Sequence, residues 1–172
     1  MKKLFTIFLF TALINSDAFT QTGWFSQNDK PMAEWLNSVY FFDSNTGWAV
    51  GSDSVILKTT NGGINWTSHL SGTGNTLYSV YFPDNNTGWA VGSNSTILKT
   101  TNSGTSWISQ TNGADYVTFS TVYFIDENTG WTAGGSTILK TTNSGTNWII
   151  QSSGTFFYLN SIYFVDNIIT IR

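Results

Sequence analysis

The chain has 172 residues, of which 16% are aromatic and only 10% charged, and its formal net charge is −3. Globular proteins average roughly 25% charged residues, so this composition is unusual for a chain with the length of about one domain. Seven basic residues exclude the basic surface of a nucleic-acid-binding protein. The absence of cysteine excludes disulfide bonds and thiolate metal sites.

Residues 1–18 have the pattern of a secretory signal peptide. Lys2 and Lys3 precede an apolar run over 4–14, and the small residues Ser16 and Ala18 follow it. The run is shorter than the about 20 apolar residues that cross a bilayer as a helix. We therefore predict a cleaved signal, a secreted or periplasmic protein, and no membrane span after cleavage.

An N-terminal segment, residues 19–35, comes next and contains Trp24. This residue lies 42 residues before Trp66, close to the spacing of 41 that separates Trp66, Trp107 and Trp148. Propellers often use one end of the chain to complete a blade begun by the other end. We interpret the segment as the closing strand of a partial blade.

Repeats fill the rest of the chain, 36–172, as units at about 36–76, 77–118 and 119–158 and a partial unit at 159–172. Each complete unit has four short runs of β-branched and aromatic residues separated by turns rich in Gly, Asn and Asp. A period near 41 with short, evenly spaced strands indicates β-propeller blades. We predict an all-β fold of four-stranded antiparallel blades, about three of them complete, in an open, incomplete propeller.

The four strands of a unit are recognised by recurring residues. First strands are predicted at 38–41, 79–82, 121–124 and 161–164. Second strands are predicted at Gly47–Gly51, Gly88–Gly92 and Gly130–Gly134. Third strands are predicted at 55–59 and at its two copies, and fourth strands are predicted to start at Trp66, Trp107 and Trp148.

The turn between the first two strands has the form Asp-x-Asn-x-Gly and begins at Asp43, Asp84 and Asp126. The spacing has some likeness to a calcium loop, but an EF-hand places glycine sixth and a bidentate glutamate twelfth. A hairpin turn is favoured instead. In it the aspartate accepts hydrogen bonds from the backbone ahead, and Gly47 and its copies are expected to adopt positive φ.

The turn before each tryptophan carries a recognisable motif. The sequence Thr-Thr-Asn-Gly-Gly-Ile-Asn-Trp at 59–66 resembles the Asp-box, or bacterial neuraminidase (BNR) repeat, Ser/Thr-x-Asp-x-Gly-x-Thr-Trp. Asparagine replaces the usual aspartate but keeps the carbonyl that caps the turn. The glycine is suited to a left-handed conformation, and the tryptophan side chain is expected to fold over the turn and cover it. The structural residues expected in the three turns are Thr59, Asn61, Gly63, Trp66, Thr100, Asn102, Gly104, Trp107, Thr141, Asn143, Gly145 and Trp148.

The whole unit is similar to the repeats of the photosystem II stability and assembly factor family. The resemblance rests on Val-Tyr-Phe, then Gly-Trp-Ala-Val-Gly, then Ile-Leu-Lys-Thr-Thr-Asn-x-Gly-x-x-Trp, and covers about 36–166. It implies a non-catalytic binding or scaffold module whose Asp-box turns are folding motifs on the rim. In that family an arginine-containing patch is thought to meet the partner protein, whereas this chain has one arginine, Arg172. The partner expected here is an unspecified protein or glycan.

Sialidases also contain Asp-boxes, so an enzyme is the alternative. Members of that family hold the substrate carboxylate with three arginines and use a Tyr-Glu pair. Arg172 is the only arginine of this chain. The glutamates that follow the signal are Glu34 and Glu127, and Glu127 lies in a turn. His69, the sole histidine, is expected to be an exposed strand residue. We therefore predict a non-enzyme without catalytic, cofactor or metal residues, the alternative being part of an exported sialidase-like glycoside hydrolase whose catalytic residues lie elsewhere.

One lysine per unit, Lys58, Lys99 and Lys140, recurs at an interval of 41. If the three side chains face one way, they form a positive ridge that would attract an acidic partner. The favoured interpretation is that each stem lies over apolar neighbours while the ammonium group stays in water.

The ends of the repeat array support two further expectations. Closed propellers have 4–8 blades, so three blades and two partial ones form an arc whose two apolar faces favour self-association. Residues 168–172 do not continue the repeat after Asn167, where the Gly-Trp strand is expected. We therefore interpret the chain as a fragment of a longer protein.

Overall fold

A computed structural model describes residues 35–164. The predicted signal peptide at 1–18, the predicted closing strand around Trp24 and the irregular tail at 168–172 lie outside the described residues.

The described residues form three separate four-stranded antiparallel sheets, each built from consecutive strands. The predicted all-β fold of open propeller blades is confirmed. The first blade contains β1 (Leu36–Phe41), β2 (Gly47–Gly51), a 3-10 turn (Ser52–Ser54), β3 (Ile56–Thr59) and β4 (Thr67–His69). The second contains β5 (Leu77–Tyr81), β6 (Gly88–Gly92), β7 (Ile97–Thr100) and β8 (Ile108–Ser109). The third contains β9 (Thr121–Phe124), β10 (Gly130–Gly134), β11 (Thr137–Thr141) and β12 (Ile149–Gln151).

Each blade has two faces because side chains alternate along a strand. Tyr40, Trp48 and Lys58 are aligned across β1, β2 and β3 and share one face, which we call the forward face. Val39 and Ala49 are aligned on the opposite face, which we call the back face. The two residue sets recur in every blade, so each blade presents the same forward face to the next blade's back face.

Aromatic stacking joins one blade to the next. On the forward face of the first blade, Trp48 stacks on Phe82 of the second blade with 3.5 Å between ring centroids and an interplanar angle of 11°. The edge of the Phe82 ring meets Trp107. The second joint repeats this arrangement, because Trp89 stacks on Phe124 at 3.6 Å. Both joints are centred on buried aromatic clusters, so blade packing depends on the repeat itself.

The glycines that open the second strands differ from expectation. Gly47, Gly88 and Gly130 are not among the residues with positive φ, so the prediction of a left-handed conformation is wrong. They are needed for space instead, because a Cβ atom on Gly88 would lie 2.4 Å from the Phe82 ring. The phenylalanine ring lies flat over the glycine and can therefore reach the tryptophan of the preceding blade.

The predicted first strand at 161–164 is not a strand in the structure. First strands elsewhere pair with a Gly-Trp strand, and among the described residues no such partner follows 161–164. Leu159, Ile162 and Phe164 nevertheless pack against Trp131 of the third blade, in the place that a first strand takes at the other joints. Packing therefore positions this segment even though strand pairing does not.

No helix within 35–164 is long and apolar enough to cross a bilayer.

The fourth strands begin one residue after the tryptophans that were expected to start them. Each tryptophan therefore belongs to its turn.

Candidate functional site

The turns at 59–66, 100–107 and 141–148, which we call the asparagine turns, share one hydrogen-bond pattern. Thr59 Oγ1 accepts from the backbone N–H of Gly63 at 2.9 Å, and Asn61 Oδ1 accepts from the N–H of Asn65 at 2.9 Å. The hydroxyl of Thr59 donates to Asn61 Oδ1, which fixes the amide orientation. The other two turns repeat these contacts. These polar side chains satisfy the turn backbone and are used within the fold.

Glycine and tryptophan complete each asparagine turn. Gly63, Gly104 and Gly145 have φ of 86°, 79° and 79°, in the left-handed region that favours glycine. Trp107 and Trp148 are each only 8% exposed. Trp66 is half-buried, because its turn lies on the first blade and no described blade precedes it.

The lysine column has a different role from either expectation. Lys58 Nζ donates to the backbone oxygen of Ser103 at 2.7 Å and to Ser103 Oγ at 2.8 Å, in the next blade's asparagine turn. Lys99 makes the same two bonds to Ser144. The interpretation that these two ammonium groups stay in water is therefore wrong. The predicted positive ridge is wrong for Lys58 and Lys99 as well. Burial lowers the pKa of both amines, and the next turn provides two acceptors to each ammonium group.

Each lysine also lies against a tryptophan of its own blade. The ammonium nitrogens of Lys58, Lys99 and Lys140 are 5.5, 5.3 and 5.0 Å from the ring centroids of Trp48, Trp89 and Trp131. A cation over a tryptophan face is favourable by about 0.5–1 kcal/mol at exposed sites. Among residues 35–164 no asparagine turn follows that could accept protons from Lys140. The third lysine therefore belongs to a joint that the described chain leaves incomplete.

The aspartate turns between first and second strands are closed by their own carboxylates. Asp43 Oδ1 accepts from the N–H groups of Asn45 and Thr46, both at 2.7 Å, and Asp84 and Asp126 repeat the pattern. These backbone donors lower the pKa of Asp43. The hydrogen bonds agree with the predicted hairpin turn. Within 35–164 no group of three potential metal-ligating side chains is present.

The remaining residues considered for catalysis are dispersed. His69 lies at the end of β4 and is half-buried, so the expectation of an exposed residue is wrong. Burial lowers its pKa, and the positive charge of Lys58 lowers it further. Glu127 is exposed in a turn, whereas Glu34 and Arg172 lie outside the described residues.

The two edges of the blade array have different characters. The aspartate turns and asparagine turns lie together on one edge, since the Gly62 N–H donates to the backbone oxygen of Asn45 at 2.9 Å. The linkers between blades lie on the other edge with the turns between second and third strands. There, for example, the Ser93 N–H donates to the backbone oxygen of Thr76. We call this second edge the linker edge.

The linker edge exposes several large aromatic side chains. Tyr116, in the linker before the third blade, is 92% exposed, and Phe156 in the next linker is 99% exposed. Phe157 and Tyr158 are exposed beside it, so three successive aromatic rings project from one linker. Exposed apolar clusters of this kind mark interaction sites in soluble proteins. Sequence reasoning missed these residues, although they stand out because the corresponding linker at 71–76 contains only small and polar residues.

Comparison with known families identifies the repeat. The model of the family described as "Photosynthesis system II assembly factor YCF48" matches residues 68–153, which is half of the chain. The chain belongs to this family. The resemblance inferred from the repeat is confirmed, and the match spans the second and third blades. Among curated proteins, no sequence matches the chain.

Solved structures show the same architecture. The structure of YCF48 bound to a D1 peptide has a TM-score of 0.61 and 25% identity, and the alignment covers 67% of this chain and 38% of that one. YCF48 from Cyanidioschyzon merolae has a TM-score of 0.59 and 23% identity over 67% and 39%. The GH74 enzyme of Niastella koreensis has a TM-score of 0.54 and 16% identity over 67% and 22%, which shows a shared fold alone. The chain thus spans about two fifths of the length of the YCF48 structures.

Proposed function

We propose that this chain is an exported, non-catalytic binding module that recognises a protein segment through the aromatic side chains of its linker edge. The exposed rings of Phe156, Phe157, Tyr158 and Tyr116 are the observation that carries the proposal. A similar YCF48 structure was solved with a bound D1 peptide, which supports a polypeptide as the class of ligand. Export rests on the signal pattern at 1–18.

The side chains of the two edges have different roles, and this difference supports a binding function. The repeated polar residues at the turn edge already serve the fold, since Asn61 and Asp43 cap backbone groups and Lys58 joins two blades. The linker aromatics form no comparable internal contacts, because their rings are almost fully exposed. Aromatic residues are enriched where proteins bind one another, because a rigid ring buries much area at a low entropic cost.

The stretch from residue 141 to residue 164 contains no charged side chain. A ligand that meets Phe156 and its neighbours therefore faces no charged side chain in this linker, whereas Asp115 stands beside Tyr116 in the preceding linker. This favours an apolar or aromatic peptide segment over an acidic or basic one. The arginine patch expected from the family has no counterpart among the described residues, since the only arginine is Arg172.

Selection from a phage-displayed random-peptide library would test the proposal. We expect the protein to enrich peptides rich in apolar residues, and synthetic copies of these peptides to bind in a fluorescence-anisotropy titration. The double variant Phe156→Ser/Phe157→Ser should weaken that binding at least tenfold. The matched control is Ile149→Ser/Ile150→Ser, which removes two exposed apolar side chains from β12 instead.

Three results would contradict the proposal. The first is that no peptide is enriched, and the second is that both double variants lose binding equally. The third is hydrolysis of a fluorogenic sialoside by the purified protein, which would favour the glycoside-hydrolase alternative. Export is tested separately, by whether a bacterial host removes residues 1–18 and releases the protein from its cytoplasm.

A further inference from the structure

Among residues 35–164, no blade covers the back face of the first blade. Val39 is 61% exposed, whereas Val80, at the corresponding position of the second blade, is 4% exposed. Phe41 is 42% exposed, whereas its counterpart Phe82 is fully buried. In the second blade these positions are covered by the forward face of the blade before it. The back face of the first blade is therefore half of a joint that occurs elsewhere in the same molecule.

The two complete joints specify what such a back face binds. A tryptophan stacks on the phenylalanine at 3.5 or 3.6 Å, as Trp48 does on Phe82. A lysine donates to the backbone oxygen of the asparagine turn, as Lys58 does to Ser103. In the first joint Tyr40 Oη also donates to the backbone oxygen of Phe82 at 2.7 Å. The occupant of the open face must present a tryptophan, a lysine and a tyrosine in this arrangement.

The third blade presents this set on its forward face. Trp131 is aligned with Tyr123 on one side and Lys140 on the other. Its present neighbour, the segment at 159–164, fits less well than a complete blade. The rings of Phe164 and Trp131 are 4.3 Å apart and tilted by 36°, compared with 11° and 17° at the complete joints.

The 159–164 segment is held by side-chain packing and by the Leu159 N–H, which donates to the backbone oxygen of Gly135 at 2.7 Å, but not by strand pairing. Residues 161–164 pair with no strand, and Ile162 N donates to Thr121 Oγ1 at a long 3.4 Å. A complete blade would instead bring a flat phenylalanine and an asparagine turn to the same surface. The forward face of the third blade is therefore better matched by the first blade of another molecule than by its own following segment.

We propose that two copies of this chain associate head to tail and close a six-bladed ring. In each joint Phe41 of one copy stacks on Trp131 of the other, and the Lys140 ammonium group donates to the backbone oxygen of Gly62, the counterpart of Ser103. The 159–164 segment leaves Trp131 as the joint forms. Six blades lie within the 4–8 of known propellers, and a head-to-tail interface closes when its rotation completes a ring. This inference does not depend on the linker edge or on its ligand.

Two variants break opposite halves of the proposed joint. Val39→Asp places a carboxylate on the back face, and Lys140→Glu places one on the forward face. Both side chains lie outside the two internal joints, so each variant should keep the far-ultraviolet circular-dichroism spectrum of the parent. Ile150→Asp, at a position as exposed as Val39 but aligned with Leu139 on the back face of the third blade, is the control for added charge.

Sedimentation velocity over a concentration series measures the outcome. We expect the parent and Ile150→Asp to be dimers and each joint variant alone to be a monomer. An equimolar mixture of Val39→Asp and Lys140→Glu should dimerise again, because the intact forward face of one variant meets the intact back face of the other. Each joint variant should still bind the peptides selected for the linker edge. The proposed joint can therefore be disproved without disproving the proposed function, and the reverse also holds.

Several outcomes would overturn the proposal. A parent protein that stays monomeric up to its solubility limit excludes the joint. A dimer that is lost in Val39→Asp, kept in Lys140→Glu and not restored by mixing indicates that two back faces meet each other. Larger assemblies in which mixing restores polymers indicate an open filament.

Discussion

The ammonium nitrogen of Lys58 lies 2.7 Å from the backbone oxygen of Ser103, which is 45 residues further along the chain and in the next blade. The same oxygen accepts the indole N–H of Trp48 at 3.2 Å. Lys99 repeats the lysine contact with Ser144, although within 35–164 the Trp89 indole N–H has no hydrogen-bond partner. The lysine is therefore the polar contact that the two joints share.

Replacing Lys58 with methionine should destabilise the protein by about 1–2 kcal/mol, because hydrogen bonds to a charged group contribute about 1.5–3 kcal/mol and part of this stem remains solvated. Lys140→Met is the matched control. It loses only the contact with Trp131 and should cost about 0.5 kcal/mol in the monomer. Urea unfolding followed by tryptophan fluorescence measures both values, and equal losses would show that the Ser103 contact contributes little.

The tryptophans of the asparagine turns should differ in their importance. Trp107→Ala should lower the free energy of unfolding by about 3–5 kcal/mol, since a buried ring that meets the edge of Phe82 is removed. Trp66→Ala should cost clearly less, because Trp66 is half-buried at the open end of the array. Thermal and urea unfolding of the two variants test the order. A loss below about 1 kcal/mol for Trp107→Ala would contradict the structural role.

Gly88→Ala should be strongly destabilising because its Cβ would lie 2.4 Å from the Phe82 ring. The ring would have to leave its stack with Trp48, so we expect a cost of about 1–3 kcal/mol or more. Gly74→Ala is the control, since its Cβ would meet no atom within 4 Å. If Gly88→Ala matched the control in a denaturant titration, close approach of the ring would not be the reason for glycine.

Stability should rise with pH in the interval just below about pH 6.5, the ordinary pKa of histidine. Burial and the charge of Lys58 lower the pKa of His69 in the folded state. The unfolded chain therefore takes up the proton first, and stability falls as the pH drops through this interval. His69→Asn should flatten the dependence between about pH 5.5 and 7.5. An unchanged slope in urea unfolding at several pH values would assign the effect to other groups.

The strands could be predicted because their signals are local and recur in register. Alternation places Trp48 and Val39 on opposite faces from sequence alone, and a period near 41 identifies the blade. The prediction of a strand at 161–164 was wrong because a strand also needs a neighbouring strand to pair with, and local composition does not show whether one is present.

Contacts between units were harder to predict. The interval of 41 aligned the lysines in a column, but it gave no sign that Lys58 reaches an acceptor in another blade. The role of Gly47 was misjudged because the Phe41 ring that excludes a Cβ comes from the neighbouring strand of the same blade. The linker aromatics could not be predicted from the repeat, because Phe156 and Tyr116 interrupt its pattern.

Each unit carries both halves of its own joint, with the tryptophan and lysine on one face and the phenylalanine and the asparagine turn on the other. A tandem duplication of one unit in the gene would therefore insert a blade that fits both neighbours at once. The number of blades can then change by recombination without any compensating substitution. The exposed linker residues Tyr116 and Phe156 lie outside the joints, so they can diversify while the array grows or shrinks.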